Sequence, residues 1–330
     1  MSTEVTAWPL LGFPEVEPGC DLAALVAAAA DLLDGDVVVV TSKVVSKAEG
    51  LRVDGDRDLV IDAETVRVVA RRGPTTIART RHGLTLAAAG VDASNTEPGT
   101  VLVLPRDPDA TARELRHALA TRTGHNVAVL LSDTAGRPWR DGQTDIAIGA
   151  AGLLPLVELA GRTDSHGTTL AVTAPAVADE IAGLADLVMG KTDGRPVAVV
   201  RGLADLVLPP DEDGPGATAL VRPDAGDMFG LGSREAVLAA VRRDDPQSLA
   251  ALRRDEVGID ELLELAGSTT LTVEALDDGG FAVGGEPDLV TAAALERVVI
   301  TAATTTWRVL RDDRNSGAGR IVVSTSGDIP

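Results

Sequence analysis

The chain has one cysteine, Cys20, no tyrosine, and three phenylalanines and three tryptophans among 330 residues. A single thiol excludes an internal disulfide framework and a cysteine-based zinc site, and it suits a reducing cytoplasm, the expected location. With aromatic residues at 2%, a nucleobase-stacking platform of the single-strand-binding kind is excluded. Positive charge is scarce as well: 30 Lys and Arg stand against 50 Asp and Glu, a formal net charge of -20. Nucleic acid is therefore not an expected partner, since coating its phosphates needs a basic surface. Any polyphosphate must be held by local lysines, arginines and metal ions. No run reaches 18 uncharged apolar residues, so no membrane span is expected. Met1 to Leu11 lacks the charged-then-apolar pattern of a secretory signal. Internal repeats and low-complexity tracts are also missing.

What the chain has is apolar bulk without rings. Hydrophobic residues make up 45% of it, enough for a substantial core, and the length suggests about two domains. Strands and helices alternate, which predicts a mixed α/β (α+β) fold. Helices are expected from Asp21, a plausible N-cap, to Leu33, over Ile61 to Arg71, from Pro105–Asp109 to about Arg122, and over Val177 to Leu187. The continuous apolar runs Val37–Val40, Val101–Leu104, Val127–Leu131 and Val197–Val200 read as buried strands, with further strands over Val157–Ala160 and Thr169–Val172. Leu206 to Gly216, rich in Pro, Gly and acids, reads as a flexible loop. A helix over Ser233–Arg243 closes the first unit, and Asp244-Asp245-Pro246 is the expected boundary between domains 1–245 and 246–330. The second domain is expected to hold a helix near Asp260–Ala266, a hairpin over Thr269–Val283, a helix over Leu289–Leu310 and a strand over Arg320–Ser324. Its apolar positions, such as Leu295, Val298, Val299 and Trp307, are expected to pack on the first domain or on a second copy of the chain, since so small a domain buries little of its own.

Two polar stretches follow buried strands, and a third follows the apolar stretch Leu86–Ala89. Ser132 to Asp145 reads as a loop at a strand mouth, carrying three carboxylates and two arginines. Asp133 and Thr134 offer a carboxylate and a hydroxyl to a hard cation such as Mg2+, which keeps substrate phosphates in its shell. Arg137 and Arg140 are suited to grip an anion. The alternative is that Asp133 caps a turn while the arginines pair with Asp141 and Asp145. Thr41 to Gly50 places Ser42, Lys43, Ser46 and Lys47 where phosphates would sit; it is not a Walker A loop, and a solvated lysine turn is the competing reading. Asp92 lies in a third polar loop beside Ser94 and Asn95. His82, taken alone, reads as a structural histidine.

Several of these stretches recur in one order: Gly12-Phe13-Pro14-Glu15, Thr41-Ser42-Lys43-Val44-Val45-Ser46-Lys47, Arg81-His82-Gly83, Gly90-Val91-Asp92-Ala93-Ser94-Asn95, Ser132-Asp133-Thr134, and Gly142-Gln143-Thr144-Asp145. Together, over roughly residues 10 to 243, the series resembles the coenzyme F420-0:L-glutamate ligases. The resemblance implies a mixed-sheet γ-glutamyl ligase fold in an intertwined homodimer, with a small α+β C-terminal segment here. It also implies GTP as co-substrate, F420-0 and L-glutamate as partners, and Mg2+ or Mn2+, two ions, with K+ as a further cofactor. Carried over by position, Asp92, Asp133 and Thr134 would hold metal. Phe13, Pro14, Glu15, Val16, Ser42, Lys47 and Asn95 would hold GTP, and Asp133 and Arg137 would be catalytic. One departure is evident: where the family shows a Gly-Glu-Gly-Ser-Ala segment, this chain reads Asp211-Glu212-Asp213-Gly214-Pro215, so Glu212 or Asp213 is the candidate replacement. About 85 residues follow the expected boundary, too few for the large flavin-binding domain fused to some relatives, and FMN is not inferred. A metal-dependent phosphohydrolase or nucleotidyltransferase, and a non-catalytic nucleotide-binding module, remain open alternatives.

Overall fold

A computed structural model describes residues 4–94, 96–223, 226–227, 229–232, 235–236, 258–267, 271–277, 280–285, 289–302, 308–312 and 320–324. Two compact units divide the chain, Met1–Arg222 and Pro223–Pro330. Most of the expected Ser233–Arg243 helix, the Asp244–Pro246 boundary, Asn95 and Trp307 lie outside the described residues.

The first unit is built on a five-stranded sheet of order β1 (Thr6–Pro9), β10 (Val197–Arg201), β2 (Val37–Thr41), β8 (Ala128–Arg137) and β9 (Arg140–Ala151). Only the central β2–β8 pair is parallel; the others run antiparallel. The continuous valine run of β2 follows from its place: Val38 and Val40 face one core, Val37 and Val39 the other. Helices α1 (Leu22–Ala29) and α4 (Pro108–Thr123) pack on the first face, and α5 (Val177–Met189) on the second. Their ends follow local chemistry. Asp21 and Asp107 accept from the backbone N–H three residues on, both at 2.9 Å, and Gly124 closes α4 in the left-handed region. No described helix is long and apolar enough to cross a membrane.

Several sequence expectations change. Ser42–Ala48 is a helix, α2, rather than a loop. The expected helix over Ile61–Arg71 is split into α3 (Arg57–Glu64) and β4 (Thr65–Arg72), because Thr65, Val66, Val68 and Val69 are β-branched and β5 (Thr75–Thr80) offers a partner edge. Ser132–Asp145 is a two-stranded ribbon rather than a loop: β8 and β9 stay paired out to Arg137↔Arg140, and the chain reverses at Pro138 and Trp139. Val157–Ala160 and Thr169–Val172 are not regular strands, although Leu159 N–H donates to Thr173 O at 2.9 Å across them. Leu206–Gly216 is held in place by Arg116, as described below.

In the second unit, β11 (Thr272–Ala275), β12 (Phe281–Gly284), β14 (Arg320–Ser324) and β13 (Arg308–Asp312) form an antiparallel sheet in that order. It shares a core with α6 (Ile259–Leu265) and α7 (Leu289–Ala302), through Leu262, Leu295, Val298, Val299 and Ile321. The expected helix over Leu289–Leu310 is thus shorter, and Arg308–Asp312 joins the sheet instead. The architecture is mixed α/β with several separate sheets.

Candidate functional site

Because β2 and β8 are parallel neighbours, the carboxyl end of β2 at Thr41 lies opposite Ser132, where β8 runs on into its ribbon with β9. That is where ligands settle in open α/β sheets. A cavity of about 310 Å³ opens there. Its wall gathers Phe13, Pro14, Glu15 and Val16 from the entry segment and Ser42, Lys43 and Lys47 from α2. The β8–β9 ribbon adds Ser132, Asp133, Thr134 and Asp145, and the end of α5 adds Asp186 and Lys191. Eight residues singled out in the sequence, Phe13 to Val16, Ser42, Lys47, Asp133 and Thr134, therefore share one cavity.

The others fall elsewhere. Asp92 is outside the wall but forms an ion pair with Lys43, which is in it; Lys43 also donates to Ser94 Oγ at 2.9 Å. Arg137 stands exposed near the ribbon tip, its Nη2 3.4 Å from the Asp141 carbonyl, and does not line the cavity. Asp213 receives Arg116 Nη1 at 2.7 Å, and neither it nor Glu212 is in the wall. Arg81 and His82 line a second cavity of about 330 Å³. There Arg81 pairs with Glu64, and His82 Nε2 sits 3.2 Å from the Arg106 carbonyl. Burial and the Arg81 charge lower the pKa of His82.

Two wall residues carry more than the sequence suggested. Asp145, read as a surface partner for arginines, is only 2% exposed. It accepts Ser132 Oγ at 2.9 Å, Thr134 Oγ1 at 2.8 Å and Lys191 Nζ at 3.1 Å. The signal was the alternation Ser132, Thr134 on β8, which means little until the register sets Thr134 opposite Asp145. Lys191, read only as part of a helix stop, donates to Thr134 Oγ1 at 2.7 Å and pairs with Asp186 at 2.7 Å.

Charge in the wall is unevenly matched. Lys47 reaches Glu15 Oε1 at 2.5 Å. Asp133 receives Ser42 Oγ at 2.8 Å, but burial, with the neighbouring Asp145 charge adding to it, pushes its pKa up to about 6. Asp92 behaves oppositely. Burial pushes it up, yet bonds from Lys43 and Ser94 outweigh that and hold it below the usual carboxylate range. Lys191 is likewise pulled down by burial and, more strongly, up by Asp186 and Asp145.

The donor set suits a hard divalent cation. Thr134 gives its hydroxyl proton to Asp145 and accepts from Lys191, so it presents lone pairs rather than a proton to the cavity, and Asp133 lacks a charged partner at hydrogen-bond distance among the described residues. No cluster of three or more Asp, Glu, His or Cys with metal-holding geometry occurs among the described residues.

The cavity beside the end of β2 is oxygen-rich, with three lysines interleaved among four acids. Residues 11–202 match the family model described as F420-0:Gamma-glutamyl ligase, and the chain belongs to that family of ligases. It is 38% identical over 244 residues to the Coenzyme F420:L-glutamate ligase of Methanothermobacter thermautotrophicus, covering 66% of this chain and 96% of that protein. With the enzyme of the same name from Methanopyrus kandleri it shares 39% identity over 236 residues, 65% of this chain and 93% of the relative. With that from Archaeoglobus fulgidus the identity is 38% over 220 residues, 60% and 88% respectively.

Proposed function

We propose that this chain joins L-glutamate to coenzyme F420-0, using GTP, through an acyl-phosphate intermediate. An amine does not displace hydroxide from a free carboxylate, so the acceptor must first be activated. A carboxylate oxygen of F420-0 attacks the γ-phosphorus, the bond to the bridging oxygen breaks, and GDP leaves. The glutamate amine then loses a proton and attacks the acyl carbon, and inorganic phosphate leaves.

The observation supporting this reading is the meeting of Phe13–Val16, Ser42, Lys47, Asp133 and Thr134 in one cavity. Lys43 and Lys47 supply positive charge against the polyphosphate, and the Phe13–Val16 segment forms a wall for the nucleotide. Ser42 fixes Asp133 through its hydrogen bond. Asp133 and Thr134, with Asp92 behind Lys43, are the residues to hold Mg2+ or Mn2+, which neutralises phosphate charge and aligns the reacting groups. Because the acyl phosphate hydrolyses easily, the cavity must keep water away from it. The same reading carries a homodimer, which sedimentation would measure, and a cytoplasmic location, which fractionation would measure.

The test is mass spectrometry of F420-0 incubated with the protein, GTP, L-glutamate and Mn2+. A product heavier by one or more glutamyl residues, formed only when all components are present, is expected. GTP turnover that is indifferent to glutamate and F420-0 would replace the ligase by a phosphohydrolase.

A further inference from the structure

Lys191 occupies an unusual place in this cavity. It follows the end of α5, after Gly190 in the left-handed region (φ +67), and its ammonium spans three groups. The distances are 2.7 Å to Thr134 Oγ1, 3.1 Å to Asp145 Oδ1 and 2.7 Å to Asp186. Asp145 lies at the closed side of this arrangement and Lys191 at the open side, its side chain 57% exposed. Since Thr134 spends its proton on Asp145, the lone pairs that Lys191 touches are the ones a cation would use. An oxygen pair facing an ammonium at such distances is the environment a hard metal ion also seeks.

We propose that the Lys191 ammonium is a built-in competitor for the divalent cation, holding the position between Thr134 Oγ1 and Asp145 Oδ1 until metal displaces it. This inference rests on the metal half of the proposed function, adds Asp145 to the residues given there, and concerns how that site is regulated. Without metal, the lysine keeps the buried Asp145 neutralised and the β8–β9 ribbon tied to the end of α5. When a divalent ion takes the Thr134–Asp145 edge, the ammonium is released, still close to Asp186, and is free to face the anion that arrives with the metal. Metal loading and the supply of a phosphate-facing positive charge become one event. A bare cation is disfavoured, because it must evict Lys191 without the compensating contact; a cation accompanied by nucleotide is not.

The test is Mn2+ binding without nucleotide, followed by electron paramagnetic resonance of free Mn2+, for the wild type, Lys191→Met and Lys191→Arg. Lys191→Met is expected to bind Mn2+ about tenfold more tightly than the wild type, since a competing charge at contact distance is gone. Lys191→Arg, which retains the charge, stays near the wild type. Direct competition is not screened at contact, so the gain must persist at about 0.5 M KCl. Lys191→Gln, uncharged but still a donor, gives the same reading should Met unfold the chain. Unchanged or weaker Mn2+ binding by Lys191→Met, with measurable binding by the wild type, overturns this inference and leaves the ligase reading standing. A gain that vanishes in high salt also overturns it, since long-range charge alone would then explain it. Absence of Mn2+ binding in every variant removes both this inference and the metal assignment, and the ligation assay then judges the reaction by itself.

Discussion

Buried charge is treated in opposite ways in two regions of the first unit. On α4, Arg116 is 2% exposed and gives its hydrogens to the carbonyls of Val127, Leu208, Pro209 and Glu212, the Asn126 amide oxygen and Asp213. Gly152 leaves it room: a Cβ there would lie 2.4 Å from Arg116 Nε. In the cavity beside the end of β2, Asp133 has one side-chain donor, Ser42, whereas Asp145 accepts from Ser132, Thr134 and Lys191, the last shared with Asp186. A saturated cluster fixes backbone, here the 208–213 segment. An under-supplied carboxylate such as Asp133 leaves electrostatic demand that a ligand can meet.

The contrast is broken most directly by Asp133→Asn, which keeps shape and removes charge. Ligation is expected to fall by at least ~100-fold, while stability to urea stays equal or rises because a buried charge has gone; a normal rate would take Asp133 out of the site. At the other end, Arg116→Met strands Asp213 and several carbonyls. It should cost about 3–5 kcal/mol in urea unfolding, and a loss below ~1 kcal/mol would show that the clamp is not the anchor described. Lys47→Ala is expected to raise the KM for GTP about tenfold while changing that for glutamate far less. Equal changes in both would move Lys47 away from phosphate.

A pH measurement sharpens the comparison. Burial pushes the Asp213 pKa up, but Arg116 and His117 outweigh it and hold the carboxyl below its ordinary 3.8. The stabilisation is therefore fully present above 3.8 and is lost as pH falls through the lower folded value. The Tm gap between the wild type and Asp213→Asn should close as pH falls below about 4; a gap independent of pH would exclude an ionic role. The smallest effect is expected from ending the chain at Arg222. Every described residue of the cavity precedes that point, so GTP affinity by calorimetry should change no more than about threefold if the shortened chain shows a cooperative melt, and complete loss would mean that the second unit contributes to the site.

The readable parts of the sequence were those governed by local chemistry. Val37–Val40 announced a strand buried on both faces because nothing polar interrupts it, and Asp21, read as an N-cap, acts as one through its bond to the backbone three residues on. Ser42, Lys47, Asp133 and Thr134 could be singled out by residue type after buried strands, and Phe13–Val16 through the resemblance alone. Residues whose meaning depends on a distant partner could not be read. Thr65–Arg72 looked helical until β5 supplied an edge.

Composition and pattern by themselves determined that this chain is an apolar-cored, acidic protein of mixed α/β type with oxygen-rich segments after its buried strands. Only the tertiary structure decided that these segments meet. Parallel pairing of β2 with β8 sets Thr41 beside Ser132, the β8–β9 register sets Thr134 opposite Asp145, and the end of α5 brings Lys191 to both. Local preference acts over a few residues, whereas Lys191 is 57 positions from Thr134 and 46 from Asp145. Contacts over such separations are fixed by burying the two faces of one sheet, a property of the whole chain that no single stretch encodes.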